Sequence, residues 1–217
     1  MIFHNRIHAG ELLAEKLSRF CNQNPLILGI PRGALPIAEV LQRKLGGDLD
    51  VILVHKVGAP DHPEFAIGSI SEWGDIYRSS AIEDYQISAH YFEEAARGEL
   101  NHLKARRQMY SPLLKPIHAK DRTVLLVDDG IATGATILSA IRAVRFMSPK
   151  KIICVAPVIS KGAMELIKNE ADEVLVLDQP EEFHSISQFY EDFSQVSDQE
   201  VIRILKSHFL KKEKNVG

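Results

Sequence analysis

The chain has 217 residues, 45% of them hydrophobic and 25% charged, with a formal net charge of −3 and a pI near 6.3. That length suits one well-cored domain, and that charge excludes a surface built to coat nucleic acid. Cys21 and Cys154 lack metal-type spacing, MIFHNRIHAGELLAEKL has no signal-peptide centre, and no apolar run reaches the roughly 18 residues of a membrane span. No membrane or nucleic-acid partner is therefore expected, and the expected compartment is the cytoplasm.

In chain order, Leu12, Leu13, Leu17 and Phe20 share a helical face, while His4 and His8 ahead of them read as a frayed terminus. LILGI (26–30) is a continuous apolar strand, and Leu35, Ala38, Leu41 and Leu45 line the helix after it. VILVH (51–55) is the second predicted strand. FAIGSISEWGDIYR (65–78) has two β-like halves around EWGD and predicts a hairpin. The stretch 88–110 predicts a long charged helix, whose Lys104, Arg106 and Arg107 complement its dipole from a solvated end. VLLVD (124–128), KIICVAP (151–157) and VLVLD (174–178) complete the strands. Ile137, Ile141, Val144 and Met147 mark the helix after the third strand, and Met164 with Ile167 the helix after the fourth. Cys154 reads as a small core residue. The tail ends in an amphipathic helix around Val201, Ile202, Leu205 and Phe209, and KKEKNVG reads as frayed. Continuous apolar strands alternating with amphipathic helices predict an α/β fold: a parallel five-stranded sheet flanked by helices, in one domain spanning 1–217.

Ligands of such sheets sit at the carboxyl ends of the strands, and VLLVDDGIATGAT (124–136) begins at one of them. The N–H groups of Ala132, Thr133, Gly134, Ala135 and Thr136 can converge on a phosphate, aided by two hydroxyls and the positive end of the following helix. Gly134 admits the close backbone approach that this requires. Asp128 and Asp129 would repel a bare phosphate. Ionised carboxylates only accept hydrogen bonds, so the pair makes sense beside a ligand that also carries hydroxyl donors or a metal. A sugar phosphate has both ends.

An apolar run, two acids, three variable residues and Thr-Gly-x-Thr resemble the phosphoribosyl-pyrophosphate (PRPP) signature of type I phosphoribosyltransferases. The resemblance implies that Asp128 and Asp129 hold the ribose 2′- and 3′-hydroxyls, and that residues 132–136 hold the 5′-phosphate. LILGIPRGALPIAEVL (26–41) resembles the family's pyrophosphate loop through Arg32 and Gly33, with the Arg32–Gly33 peptide a candidate for the cis form. Lys56, in VILVHKVGAP, resembles a strand-end lysine that also approaches pyrophosphate. Residues 57–118 correspond to a flexible-loop and helical insertion, and 178–217 to a small C-terminal hood with its helix. PRGALPIA, HKVGAP and EDFSQVSD together also resemble a subgroup of predicted phosphoribosyltransferases from which no substrate follows.

The implied activity is transfer of phosphoribose from PRPP to a small nitrogenous acceptor with release of pyrophosphate. Mg²⁺ is the expected cofactor, held directly or indirectly by Asp128 and Asp129, and a homodimer is the expected assembly. Arg32, Lys56 and Mg²⁺ would neutralise the leaving group, and residues 57–78 would close over the site. Ala132 stands where purine-salvage members commonly carry an Asp, which sets this chain apart from hypoxanthine–guanine salvage. In the hood, Phe183 and Tyr190 are candidate stacking surfaces for the acceptor, with His184 a polar contact; the alternative is that the aromatics simply cap the core. A non-catalytic PRPP or nucleotide sensor on the same fold is the other functional reading.

Overall fold

The computed structural model describes residues 1–62, 65–79, 81–110 and 118–214. Parts of the predicted insertion (63, 64, 80 and 111–117) and the last three residues of the predicted tail lie outside them. Helix α1 (Arg6–Lys16) opens the fold, capped by Asn5, whose side chain accepts from the His8 N–H at 3.0 Å. Strand β1 (Leu26–Gly29), α2 (Leu35–Leu45) and β2 (Asp48–Val51) follow. Then come β3 (Val54–Gly58), β4 (Ala66–Ser71) and β5 (Ile76–Arg78), a short α3 (Ala81–Asp84) and a long α4 (Ala89–Tyr110). The second half runs β6 (Thr123–Val127), α5 (Ala135–Phe146), β7 (Lys151–Val158), α6 (Lys161–Ile167), β8 (Glu173–Asp178) and α7 (Asp198–Lys214).

The expected five-stranded parallel sheet is present, in the order β2-β1-β6-β7-β8, with every pairing parallel. Successive side chains of a strand point to opposite faces, and the core divides accordingly. Ile27, Leu125, Val127, Ile153 and Val155 pack with Leu13, Leu35, Leu41, Ile204 and Leu205 on one face. Leu26, Leu28, Val124, Leu126, Ile152 and Cys154 pack with Ile137, Ile141, Val144 and Ile167 on the other. A fully buried side chain of this kind stabilises by about 1.5–3 kcal/mol relative to exposure, so both faces need their helices. Cys154 is buried as expected.

The run VILVH corrects the expectation of one strand. The sheet strand is β2, which takes the acidic DLDV and ends at Val51; the chain then turns, and Val54 begins the antiparallel sheet β3-β4-β5. The predicted hairpin over 65–78 is present as β4 and β5, and β3 adds a third strand beside β4. Aspartates inside a buried strand look wrong to a hydrophobicity pattern, but each has a cation: Asp48 accepts from Arg122 at 2.8 Å and Asp50 from Arg107 at 2.6 Å. Arg107 is therefore no solvated dipole partner of α4. It also donates to both oxygens of Glu72 and, at 2.8 Å, to the Val51 carbonyl, joining α4, the β4–β5 turn and the edge of the core sheet.

The N-terminus is not frayed. Phe3 is fully buried, its N–H donates to the Phe189 carbonyl at 2.8 Å, and its own carbonyl accepts from the Glu191 N–H at 2.8 Å. His4 stacks on His8 at 4.7 Å and reaches Glu191 at 2.6 Å. At the other end, α7 extends to Lys214, through most of the stretch read as frayed. Among the described residues no helix is long and apolar enough to cross a membrane.

Candidate active site

Gly29 of β1 lies beside Val127 of β6, so the loops leaving these strands, 30–34 and 128–134, share one rim of the sheet. Their contact is close. A Cβ on Gly33 would stand 1.9 Å from Asp129 Oδ2, so only glycine fits between the loop and the acid. The cis peptide of the first loop is the Pro31–Arg32 bond, one bond earlier than the Arg32–Gly33 bond singled out from sequence.

The second loop is built around main-chain donors. Gly134 has φ +78°, the left-handed conformation that favours glycine, and from it α5 departs. Among the described residues nothing accepts from the N–H groups of Ala132, Thr133, Gly134, Thr136 or Ile137, and the Ala135 N–H has only Thr133 Oγ1 at 3.4 Å. The helix adds roughly half a positive charge at the same end. The loop is braced from behind: Ser160 Oγ donates to the Ala132 carbonyl at 2.6 Å and the Ser160 N–H to the Ile131 carbonyl at 2.9 Å. Asp128, Asp129, residues 130–134, Thr136 and Ile137 line one open cavity of 180 Å³, together with Ile186 of the hood. Ala132, Thr133 and Thr136 are exposed there.

The two acids differ. Asp128 is half-buried, and its Oδ1 accepts from the Asp129 N–H at 2.9 Å. Burial first, then the neighbouring Asp129 charge, push its carboxyl well above the usual carboxylate range. Asp129 is buried and has its own cation: Arg6 Nε and Nη2 reach Oδ2 at 2.9 and 2.8 Å. Burial raises this carboxyl too, and Arg6 acts against the shift.

The comparisons with known proteins agree with this arrangement. The model of the phosphoribosyl transferase domain matches residues 2–194. The chain belongs to the phosphoribosyl transferase family. It is 38% identical to TT1426 from Thermus thermophilus, whose crystal structure superposes with a TM-score of 0.88 over 96% of this chain and 99% of that one. It is also 32% identical over 205 residues to "Putative phosphoribosyl transferase Rv0571c" of Mycobacterium tuberculosis. That match takes in 94% of this chain but 46% of the relative, so the chain spans about half the length of the curated relatives it matches.

Within this family member the predicted residues fall into three groups. Gly33, Asp128, Asp129 and 132–136 meet on one rim. Arg32 starts from the same rim, and its guanidinium lies 3.5 Å from Asp198 at the start of α7, which also accepts from the Tyr110 hydroxyl. Lys56 sits within β3 of the antiparallel sheet, not at the end of a core strand, because the chain leaves the core sheet at Val51.

The hood aromatics pack inward. Tyr190 is buried against Phe3 and Phe193, at ring distances of 5.4 and 5.0 Å, and its hydroxyl donates to the Asp129 carbonyl at 2.7 Å. Phe183 is half-buried on Phe189 at 5.2 Å, and His184 is exposed. Neither Phe183 nor Tyr190 lines the cavity; Ile186 does. Sequence reading missed Arg6, Ile186 and Asp198. An arginine in the first turn of an otherwise apolar helical face was the available signal for Arg6.

Proposed function

We propose that the chain transfers the phosphoribosyl group of PRPP to a small nitrogenous acceptor and releases pyrophosphate. The main-chain N–H groups of residues 132–134, 136 and 137, which have no acceptor among the described residues, set beside Asp128, carry this reading. Donors on one side and a carboxylate on the other match the two ends of a ribose 5-phosphate unit. The loop takes the phosphate, the acids take the ribose hydroxyls, and Ile186 shields the sugar from water.

In the reaction the bond from ribose C1 to pyrophosphate breaks, its electron pair leaves on pyrophosphate, and the acceptor nitrogen forms the new bond. Positive charge grows on the ring meanwhile. Two acids with one arginine set acidic groups on that side, and their ionised form would favour this charge. Arg32 would neutralise the leaving group. Its present pairing with Asp198 is half-exposed, and such pairs stabilise by about 0–1 kcal/mol, so a diphosphate readily displaces the carboxylate. Lys56, within β3, is not among the residues that line the cavity.

The donor set also fits Mg²⁺ arriving on the diphosphate. That ion takes one or two carboxylates and fills its remaining positions with water and phosphate oxygens. Among the described residues no cluster of three or more acidic, His or Cys side chains forms a cage. Asp128 would contribute directly, and Asp129, engaged by Arg6, through water. When bound, the ion supplies neutralising charge to the leaving pyrophosphate.

Incubation with PRPP, Mg²⁺ and a panel of nitrogenous bases, followed by pyrophosphate assay, tests the reading. Turnover with at least one base is expected. Failure to bind PRPP refutes it, and tight binding with no turnover on any base favours the sensor.

A further inference from the structure

The proposed chemistry leaves Arg6 unexplained. It is the buried cation of the site, and it comes from the first turn of α1, a long way in sequence from both acids. Its guanidinium makes three kinds of contact at once. Nε and Nη2 converge on Asp129 Oδ2 at 2.9 and 2.8 Å. Nη1 donates to the Ser194 carbonyl at 2.8 Å. The plane lies over the Phe193 ring at 3.9 Å, with Tyr190 at 5.9 Å. Ser194, Phe193 and Tyr190 all belong to the hood, and Tyr190 separately donates to the Asp129 carbonyl. Asp129 Oδ2, the atom that Arg6 grips, is the same atom that excludes any side chain at Gly33. One guanidinium thus touches the acid pair and the hood, and through Asp129 it sets the clearance of the pyrophosphate loop.

We propose that Arg6 is a positioning residue of the sugar-phosphate site: it orients Asp129 and clamps the hood over the acid pair. The N-terminal segment is then part of the site, and its own bonds from Phe3 and His4 to Phe189, Glu191 and Asp192 extend the same clamp. A lysine cannot substitute, because one ammonium cannot meet Asp129 and the Ser194 carbonyl while stacking on Phe193. This inference rests on the phosphoribosyl-transfer reading for the ligand, but the clamp itself is a separate property.

Two measurements on the full chain decide it. The first is PRPP affinity, with Mg²⁺, of wild type, Arg6→Met, Asp129→Asn and the double variant. Arg6→Met is expected to lower affinity by about tenfold or more, the scale of a lost charged hydrogen bond. The double variant should bind no worse than the weaker single variant, because Arg6 acts through Asp129. Losses that multiply, or affinity within about twofold of wild type in Arg6→Met, would overturn the positioning role. The second measurement is amide hydrogen exchange of the hood, residues 183–196. It is expected to quicken in Arg6→Met, and unchanged exchange would overturn the clamp whatever the donor result. Absence of PRPP binding by the wild type instead strikes the functional reading, with the exchange comparison still deciding the clamp. If Arg6→Met does not fold, Arg6→Lys takes its place with the same expected directions.

Discussion

Two arginines paired with buried acids organise this protein, and they do different work with the same chemistry. Arg107 sits among carboxylates that are 7% and 3% exposed, those of Asp50 and Glu72, plus the Val51 carbonyl. Every group it touches belongs to the scaffold. Arg6 also pairs with a buried acid, but its other contacts are a hood carbonyl and a hood ring, and its acid borders the cavity. A buried ion pair is by itself weak evidence for stability, since desolvation offsets most of the attraction. Its role follows from what else touches it: Arg107 fastens the insertion to the sheet edge, whereas Arg6 fastens a cavity-lining acid to the hood.

The largest expected effect breaks the comparison on the scaffold side. Arg107→Met leaves two buried carboxyls without their cation and should cost about 3–5 kcal/mol in denaturant unfolding at neutral pH. The cost should shrink on acidification. Burial already holds Asp50 and Glu72 above the usual carboxylate range, with Arg107 opposing, and its removal raises both further. A carboxyl whose folded pKa exceeds its unfolded value binds more protons when folded, so stability falls as pH rises through that window and returns as pH drops. A loss that grew toward acid pH would contradict this assignment.

Gly33→Ala tests the site side. Its Cβ would fall 1.9 Å from Asp129 Oδ2, so the loop or the acid must move. A stability cost of about 1–3 kcal/mol is expected, together with loss of PRPP binding that exceeds what stability explains. Retained affinity would mean that the acid's position is unimportant. Smallest is Tyr190→Phe, which keeps the ring and removes the hydroxyl held by the Asp129 carbonyl at 2.7 Å. It should cost about 0.5–1.5 kcal/mol and weaken donor binding a few-fold. If Tyr190 served as a stacking surface for the acceptor, the phenylalanine would bind acceptor unchanged while donor affinity also stayed put.

The shape of the loop at 128–136 is legible in the chain itself because its parts are local: main-chain donors, a left-handed Gly134 and the acids lie close together in sequence. Gly33 is legible too, since it follows a strand as Asp128 does. Lys56 was misplaced because hydrophobicity weighs Asp48 and Asp50 as surface residues, and no local signal reveals that Arg122 and Arg107 lie beside them. Tyr190 and Phe183 were recognised as hood aromatics, but which way a ring points depends on what fills the space behind it, here Phe3, Phe193 and Phe189.

By itself, then, the sequence determined the alternating α/β layout and the glycine-containing loop after Asp128 and Asp129, because periodicity and backbone freedom act over a few residues. Only the tertiary structure decided that Arg6 meets Asp129, 123 positions further along the chain, that Arg107 meets Asp50 and Glu72, and that Ile186 rather than an aromatic ring lines the cavity. Long-range electrostatic pairing leaves no periodic mark on a chain; it exists only once folding has removed the water between the charges.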